Sequence, residues 1–308
     1  MTDSAASAWP PIARFIAAER RLSARAVRAG PVAAGFYEFL RFGAKQGWAC
    51  LFGGALLALL VATHLFYPRE SWLPRYDFLL VACIGIQAAL LALRMETLDE
   101  ARVILVFHVV GTAMEVFKTA VGSWSYPEFS YLRIGGVPLF TGFMYAAVGS
   151  YVARAWRLFD FRFTRHPPAW AVLVLGAAIY VNFFTHHYTW DARWVLFAAA
   201  GVMFGRCRIW FRPWRRYRWM PLLVGFGLVA LFIWFAENLG TFAGVWLYPH
   251  QRGGWSMVPP AKFGAWFLLM LLSYALVFAL HEGRGAVRAP PPRAKMAFPS
   301  ARASATVR

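Results

Sequence analysis

From residue 47 onward the chain alternates long apolar blocks with short polar connections. Eight blocks stand out, at 47–66, 76–94, 102–121, 137–156, 169–187, 192–207, 219–240 and 262–281. A helix needs roughly 17–25 apolar residues to cross a bilayer, so each block predicts one membrane span. Gly and Ser within the blocks are compatible with this, because helices in lipid pack closely through small residues. The expected fold is therefore all-α, a polytopic transmembrane helix bundle of about eight spans. Ahead of the first block, Phe36, Phe39, Leu40 and Phe42 predict one side of a short interfacial helix.

The polar positions inside the blocks recur. Glu115–Pro127 reads EVFKTAVGSWSYP and Glu237–Pro249 reads ENLGTFAGVWLYP, both fitting E-x3-T-x2-G-x-W-x-Y-P at a separation of 122 residues. The same shift aligns Trp48 with Trp170, His64 with His186, Trp72 with Trp194, Pro138 with Pro260 and Gly142 with Gly264, without a gap. Coincident apolar residues mean little in two membrane helices, but coincident Trp, His, Glu and Pro carry weight. The pattern predicts two parallel four-helix repeats, related by a pseudo-twofold axis along the membrane normal. The expected organisation is an N-terminal segment at 1–45, repeat one at 46–167, repeat two at 168–282 and a disordered tail at 283–308.

Composition agrees with a membrane protein: 60% of the 308 residues are apolar or aromatic and 15% charged. The net charge of +18 would suit nucleic acid, but its distribution points elsewhere. Arg and Lys gather before the first block, between the fourth and fifth, between the sixth and seventh, and after the eighth. By the positive-inside rule this alternation puts both termini in the cytoplasm. FRPWRRYRWMP at Phe211–Pro221 then reads as a belt for lipid headgroups, with no nucleic acid implied. The first 35 residues hold no apolar core of signal-peptide type. Cys50, Cys83 and Cys207 are scattered without metal-type spacing and read as small apolar residues.

The candidate chemistry lies in the repeated motif. Glu115 and Glu237 each precede the motif Gly by seven residues, about 10 Å below the end of their helices. Carboxylates are expensive at that depth and normally face the bundle interior, which marks both as candidate catalytic groups. The Gly ends the helix, Trp124, Tyr126, Trp246 and Tyr248 sit at the interface and line a substrate slot, and the Pro blocks further helix. His64 and His186 are repeat equivalents. In NFFTHHY, Asn182 and His186 share a helix face, and His187 has no counterpart, since position 65 is Leu. The second half is therefore expected to carry the more specialised chemistry, through Asn182, His186, His187 and Glu237. His108 shares a face with Glu115, and Lys118 is expected as an internal ion-pair partner for a buried carboxylate. A His, Lys118, Asn182 or Asn238 should hydrogen-bond each glutamate. No H-E-x-x-H or H-x-x-x-H pair occurs, so no metal is assigned. Nucleotide-binding loops and the hydrolase elbow are absent, and nothing identifies a cofactor.

The stretches MEVFKTAVGSWSYPE, VPLFTGFMYAAVGSY, NFFTHHY and AENLGTFAGVWLYP resemble the bacterial membrane family known as domain of unknown function 817, over about Phe36 to His281. The resemblance implies a multi-pass protein of the bacterial inner membrane, without an established activity. A looser similarity joins the motif to membrane carotenoid hydratases and small lycopene cyclases, through a helix-borne acid followed by Gly and an aromatic segment. The chain lacks the Pro-x-Glu-Glu element of those cyclases. Glu115 and Glu237 are the positions this similarity implies as acids.

Three functions are compatible with these residues. The first is an intramembrane enzyme on a lipid or isoprenoid, with one glutamate as acid and the other as base. The second is a proton- or ion-coupled carrier, and the third a structural membrane protein. An enzyme predicts a slot open sideways to lipid, and a carrier predicts a water-filled path from one side. Substrate and oligomeric state are not written in the sequence.

Overall fold

The computed structural model of the chain describes residues 10–68, 70–281 and 288–289. Ten α-helices are present among them: α1 (Pro10–Arg28), α2 (Pro31–Ala49), α3 (Leu51–Phe66), α4 (Arg75–Ala92), α5 (Leu98–Ala120), α6 (Thr141–Phe159), α7 (Ala169–Thr185), α8 (Arg193–Phe204), α9 (Leu222–Phe242) and α10 (Lys262–His281). Each of the eight apolar blocks overlaps one of the helices α3 to α10. The tail expected at 283–308 lies outside the described residues, apart from 288 and 289.

The number of spans is corrected downward from eight. Among the described residues four helices are long and apolar enough to cross a membrane: Arg75–Ala92, Leu98–Ala120, Leu222–Phe242 and Lys262–Leu280. The pair α2 and α3, bent by 67°, would make a fifth as one broken span. Helix α7 has 17 residues and α8 only 12, so α8 is about 18 Å long against a hydrocarbon core of about 30 Å. Helix α6 is diluted by Gly142, Gly149, Ser150, Arg154 and Arg157. Four to five apolar helices of this kind are consistent with a membrane protein.

Local sequence explains the helix ends that matter. Helix α5 starts with a capping box, in which Thr97 Oγ1 accepts from the Glu100 N–H and the Glu100 carboxylate accepts from the Thr97 N–H. It stops at Gly122, whose φ of 74° favours glycine, and α9 stops at Gly244 with φ 64°. At the first stop Gly122 N–H bonds Thr119 O and Ser123 N–H bonds Lys118 O. At the second, Gly244 N–H bonds Thr241 O and Val245 N–H bonds Gly240 O. Both are Schellman turns with their hydrogen bonds at matching positions.

The bundle is built around α6 and α10, which pack on each other. Helix α6 also packs against α3 and α5, and α10 against α7 and α9, while α4 and α8 flank α3 and α7. Helices α5 and α6 form the most extensive pair, and they approach closely because Gly142 has no side chain. A Cβ there would lie 2.5 Å from the His108 carbonyl oxygen and 2.4 Å from Thr112 Oγ1.

The Arg-rich connections fold into a small sheet at the opposite end from the motif turns. Strands β3 (Arg162–Thr164), β4 (Arg208–Phe211) and β5 (Arg218–Pro221) pair antiparallel in that order, while β1 (Arg133–Ile134) and β2 (Val137–Pro138) form a short hairpin on the motif side. Helix α2 joins the three-stranded sheet, and α1 packs on α2. Arg218 donates to Glu38, and Lys45 Nζ donates to the carbonyls of Leu158 and Arg212. Phe36, Phe39 and Leu40 of α2 are exposed, while Phe42 packs on Phe159 and Phe211. Burial pushes the Asp160 carboxyl up, but the Tyr217 hydroxyl and the charges of Arg162 and Arg212 outweigh it and hold Asp160 below its usual range.

Near this end Arg154 is fully buried, bonded to Glu96 at 2.9 Å and to the Trp48 carbonyl, with Gln87 completing the carboxylate. Removing one partner from such a pair costs about 3–5 kcal/mol. Arg154→Leu is therefore expected to lower the unfolding temperature in detergent sharply, and the double change Arg154→Leu/Glu96→Leu to recover part of the loss. Gly142→Ala should destabilise by about 1–3 kcal/mol through overpacking between α5 and α6, read in the same melting assay.

Candidate functional site

The two Schellman turns send the chain back over its own helix, and this brings the motif aromatics onto the motif carboxylate. Glu115 is 3% exposed. Its Oε2 accepts from Trp124 Nε1 at 2.7 Å and from the Tyr126 hydroxyl at 2.5 Å, and its Oε1 accepts from the Tyr145 hydroxyl at 2.8 Å. Glu237 is 2% exposed. Its Oε1 accepts from the Tyr248 hydroxyl and its Oε2 from Trp266 Nε1 at 2.5 Å. Each glutamate thus bonds the tyrosine eleven positions further on. The equivalent tryptophans part company: Trp124 bonds Glu115, whereas Trp246 lies over Gly240, where a Cβ would be 2.4 Å from its ring. The residue 122 positions before Gly240 is Lys118.

The two clamps touch. Ser125 and Leu247, also 122 apart, exchange both backbone hydrogen bonds at 3.0 and 2.9 Å as an isolated antiparallel bridge. The Trp124 ring meets the Tyr248 ring edge-on, with centroids 6.0 Å apart. Lys262, the first residue of α10, holds its ammonium 4.5 Å over the Tyr248 ring and 5.9 Å from the Trp124 ring. Two of the aromatic rings expected to line a substrate slot thus already face a protein cation.

The partners of the glutamates differ from those expected. Lys118 bonds neither carboxylate. Its ammonium has only donors, so His187 Nε2 at 2.6 Å and His186 Nε2 at 3.3 Å both accept from it. His186 Nδ1 then carries the hydrogen and donates to the Asn182 carbonyl at 2.7 Å. The Asn182 side chain donates to Asp191 and accepts from the Ala192 N–H. Asn238 donates to the Trp234 carbonyl and accepts from the Val258 N–H. His64 is exposed and packs against Phe242, and His108 stacks on Phe143, so neither reaches a carboxylate. Phenols and indoles take these places because a neutral donor satisfies a buried carboxylate oxygen without burying a second charge. Asp191 lies between α7 and α8. Burial raises it, but the Arg193 N–H, the Asn182 side chain and the Arg193 charge outweigh this and lower it overall.

Tyr145 and Trp266 were not legible as site residues. They stand one position out of register: residues 144 and 145 are Met and Tyr, and their counterparts 266 and 267 are Trp and Phe. A search for equal residues at a spacing of 122 passes over such a pair, although one hydrogen-bonding aromatic in each would have been the signal.

A cavity of about 1130 Å³ runs along the bundle between the two ends. At the motif end Glu115, Glu237, Lys118, Lys262, Arg193, Asn182 and His186 line it, together with Trp124, Trp246 and Tyr248. From there its wall is mainly apolar, from α3, α6, α9 and α10, as far as Phe42, Phe211 and Met220 near the sheet. Leu228 and Phe232 line it and are exposed, so it reaches the surface beside α9. Small-molecule sites typically enclose about 300–1,000 Å³, and this volume suits a larger, mostly apolar occupant. Among the described residues no three His, Cys, Asp or Glu side chains stand together as a metal site.

Comparison with known proteins gives the lineage. The uncharacterized protein YoaT of Bacillus subtilis (strain 168) is 43% identical over 246 residues, which is 80% of this chain and 92% of that protein. The crystal structure of a cross-linked MvINS trimer is similar at a TM-score of 0.45 and 14% identity, covering 61% of this chain and 97% of that one. The looser resemblance to carotenoid hydratases and lycopene cyclases is not shown by the family and relative that match. The family described as "Protein of unknown function (DUF817)" matches residues 38–274, and the chain belongs to this family.

Proposed function

We propose that the protein is an intramembrane enzyme that takes a lipid or isoprenoid into the cavity and acts on it by acid–base chemistry at Glu115 and Glu237. The observation that carries this reading is a long apolar cavity that ends on two buried carboxylates. Its opening beside α9, along exposed Leu228 and Phe232, gives a chain entering from lipid a sideways route. A carrier would need a polar path, and away from the motif end the wall is apolar. The hydroxyls of Tyr145 and Tyr248 each bond one of the carboxylates, and a phenol can pass a proton by donating while it accepts. The location that goes with this reading is the bacterial inner membrane, with the Arg-rich end in the cytoplasm.

The reading includes two related halves that share one site. Its support is the reciprocal Ser125–Leu247 bridge and the matching packing of α3, α5 and α6 in one half and α7, α9 and α10 in the other. A residue pair that exchanges both backbone bonds lies on a local twofold axis.

Two experiments test the role of the glutamates. Glu115→Gln keeps an acceptor for Trp124 and Tyr126 and turns its amide toward Tyr145, which can accept. It should therefore melt within a few degrees of the parent. Glu115→Leu strands the buried donors, at about 1–3 kcal/mol each, and should melt far lower. In cells, the lipid and isoprenoid profiles of a deletion strain are expected to shift. The parent gene should restore them, and Glu115→Gln or Glu237→Gln should fail to, with at least about a hundredfold loss of activity. Full rescue by both glutamine variants would remove the enzyme reading, and an unchanged profile with altered ion flux would favour a carrier.

A further inference from the structure

Three cations converge on the motif end of the cavity from three helices. Lys118 lies in the last turn of α5, Arg193 opens α8 and Lys262 opens α10, and all three line the cavity. Lys118 feels the charges of Lys262 and Arg193, and Lys262 that of Arg193. The carboxylates facing them are Asp191, paired with Arg193 at 2.6 Å, Glu237, whose charge reaches Lys262, and Glu115 beyond it. Both glutamates already spend their oxygens on tyrosine and tryptophan donors.

Neither lysine is in an ion pair among the described residues. The Lys118 ammonium rests on two imidazoles and 4.4 Å over the Phe183 ring, and that of Lys262 rests on aromatic faces. An ammonium held only by neutral groups in an apolar bundle is costly. Lys118 is 6% exposed, so bulk water compensates it little. The first turns of α8 and α10 add the partial positive charge of two helix N-termini at the same place.

The positions of the cations give independent support. Residues 122 away from Lys118, Arg193 and Lys262 are Gly240, Ser71 and Phe140. The glutamate–tyrosine bond in each clamp comes from residues common to the two motifs, whereas the cation cluster comes wholly from positions where the halves differ. It is an addition to the shared framework, and it stands at the polar end of an apolar cavity.

We infer that Lys118, Lys262 and Arg193 bind the anionic headgroup, a phosphate or carboxylate, of the lipid whose chain fills the cavity. This rests on the lipid-binding part of the proposed function and is independent of catalysis by the glutamates. The test titrates the full-length protein in neutral detergent with farnesyl phosphate, farnesol and inorganic phosphate, followed by tryptophan fluorescence. Farnesyl phosphate is expected to bind at least about tenfold more tightly than farnesol, and inorganic phosphate alone to give no saturable change. Lys262→Met and Lys118→Met should bind both lipids with the affinity of farnesol, and Lys262→Arg should keep the preference, which separates loss of charge from loss of fold. Equal binding of the two lipids by the parent protein overturns the headgroup site while leaving the cavity a lipid site. A preference that survives both methionine changes overturns its assignment to these lysines. Inorganic phosphate binding as tightly as farnesyl phosphate makes the ligand a free anion and overturns the lipid source. Binding of neither lipid removes the headgroup site and the proposed function together.

Discussion

Burying a carboxylate inside an apolar bundle sets the terms for everything around it. An unpaired acid there is too costly to persist, so each glutamate must find donors, and the chain supplies them from its own next turn. This explains the spelling of the motif. The Gly gives a left-handed reversal, the reversal returns the chain along the helix, and the tyrosine eleven residues on arrives at the carboxylate. Trp and Tyr suit this task because each combines a large apolar body with one donor at its tip. The clamp is local in sequence and needs only one outside contribution, from α6 in one case and α10 in the other.

Those outside contributions decide how the bundle is arranged. Tyr145 and Trp266 sit on the two central helices, so satisfying the glutamates also fixes α5 against α6 and α9 against α10. The close approach permitted by Gly142 serves the same end, since a wider crossing would carry Tyr145 away from Glu115. Where the two clamps differ, the difference has a visible cause. Gly240 makes room for the Trp246 ring, and Lys118 at the matching position instead reaches across to α7 and the histidines.

Much of the helical layout was legible because hydropathy reports directly on where backbone must be hydrogen-bonded within itself. The Gly stops were legible as well, since few residues other than Gly adopt that conformation at a helix end. The number of crossings was not, because apolar composition does not distinguish a span from a helix too short to cross, such as α8, or from a bent pair such as α2 and α3. Partners of the buried acids were misread for a different reason. Lys118 one turn after Glu115 looks like an ion pair on a helical wheel, but the side chain follows the histidines of α7, a contact 68 and 69 residues away in sequence. The sheet formed by the Arg-rich connections was hidden by their charge. Its β3–β4 pairing joins segments more than forty residues apart, as in Phe163 with Ile209, and the β4–β5 hairpin joins strands of only four residues, too short to show a clear periodicity.

The bridge between Ser125 and Leu247 is only one residue pair, yet it lies between the two reversals that carry the clamps. Each reversal is in turn fastened to its own glutamate. A continuous run of hydrogen bonds and short backbone therefore joins one carboxylate to the other, through Tyr126, the Ser125–Leu247 bridge and Tyr248. The motif ends of α5 and α9 are yoked. Neither reversal can move away from the other without breaking both bonds of the bridge.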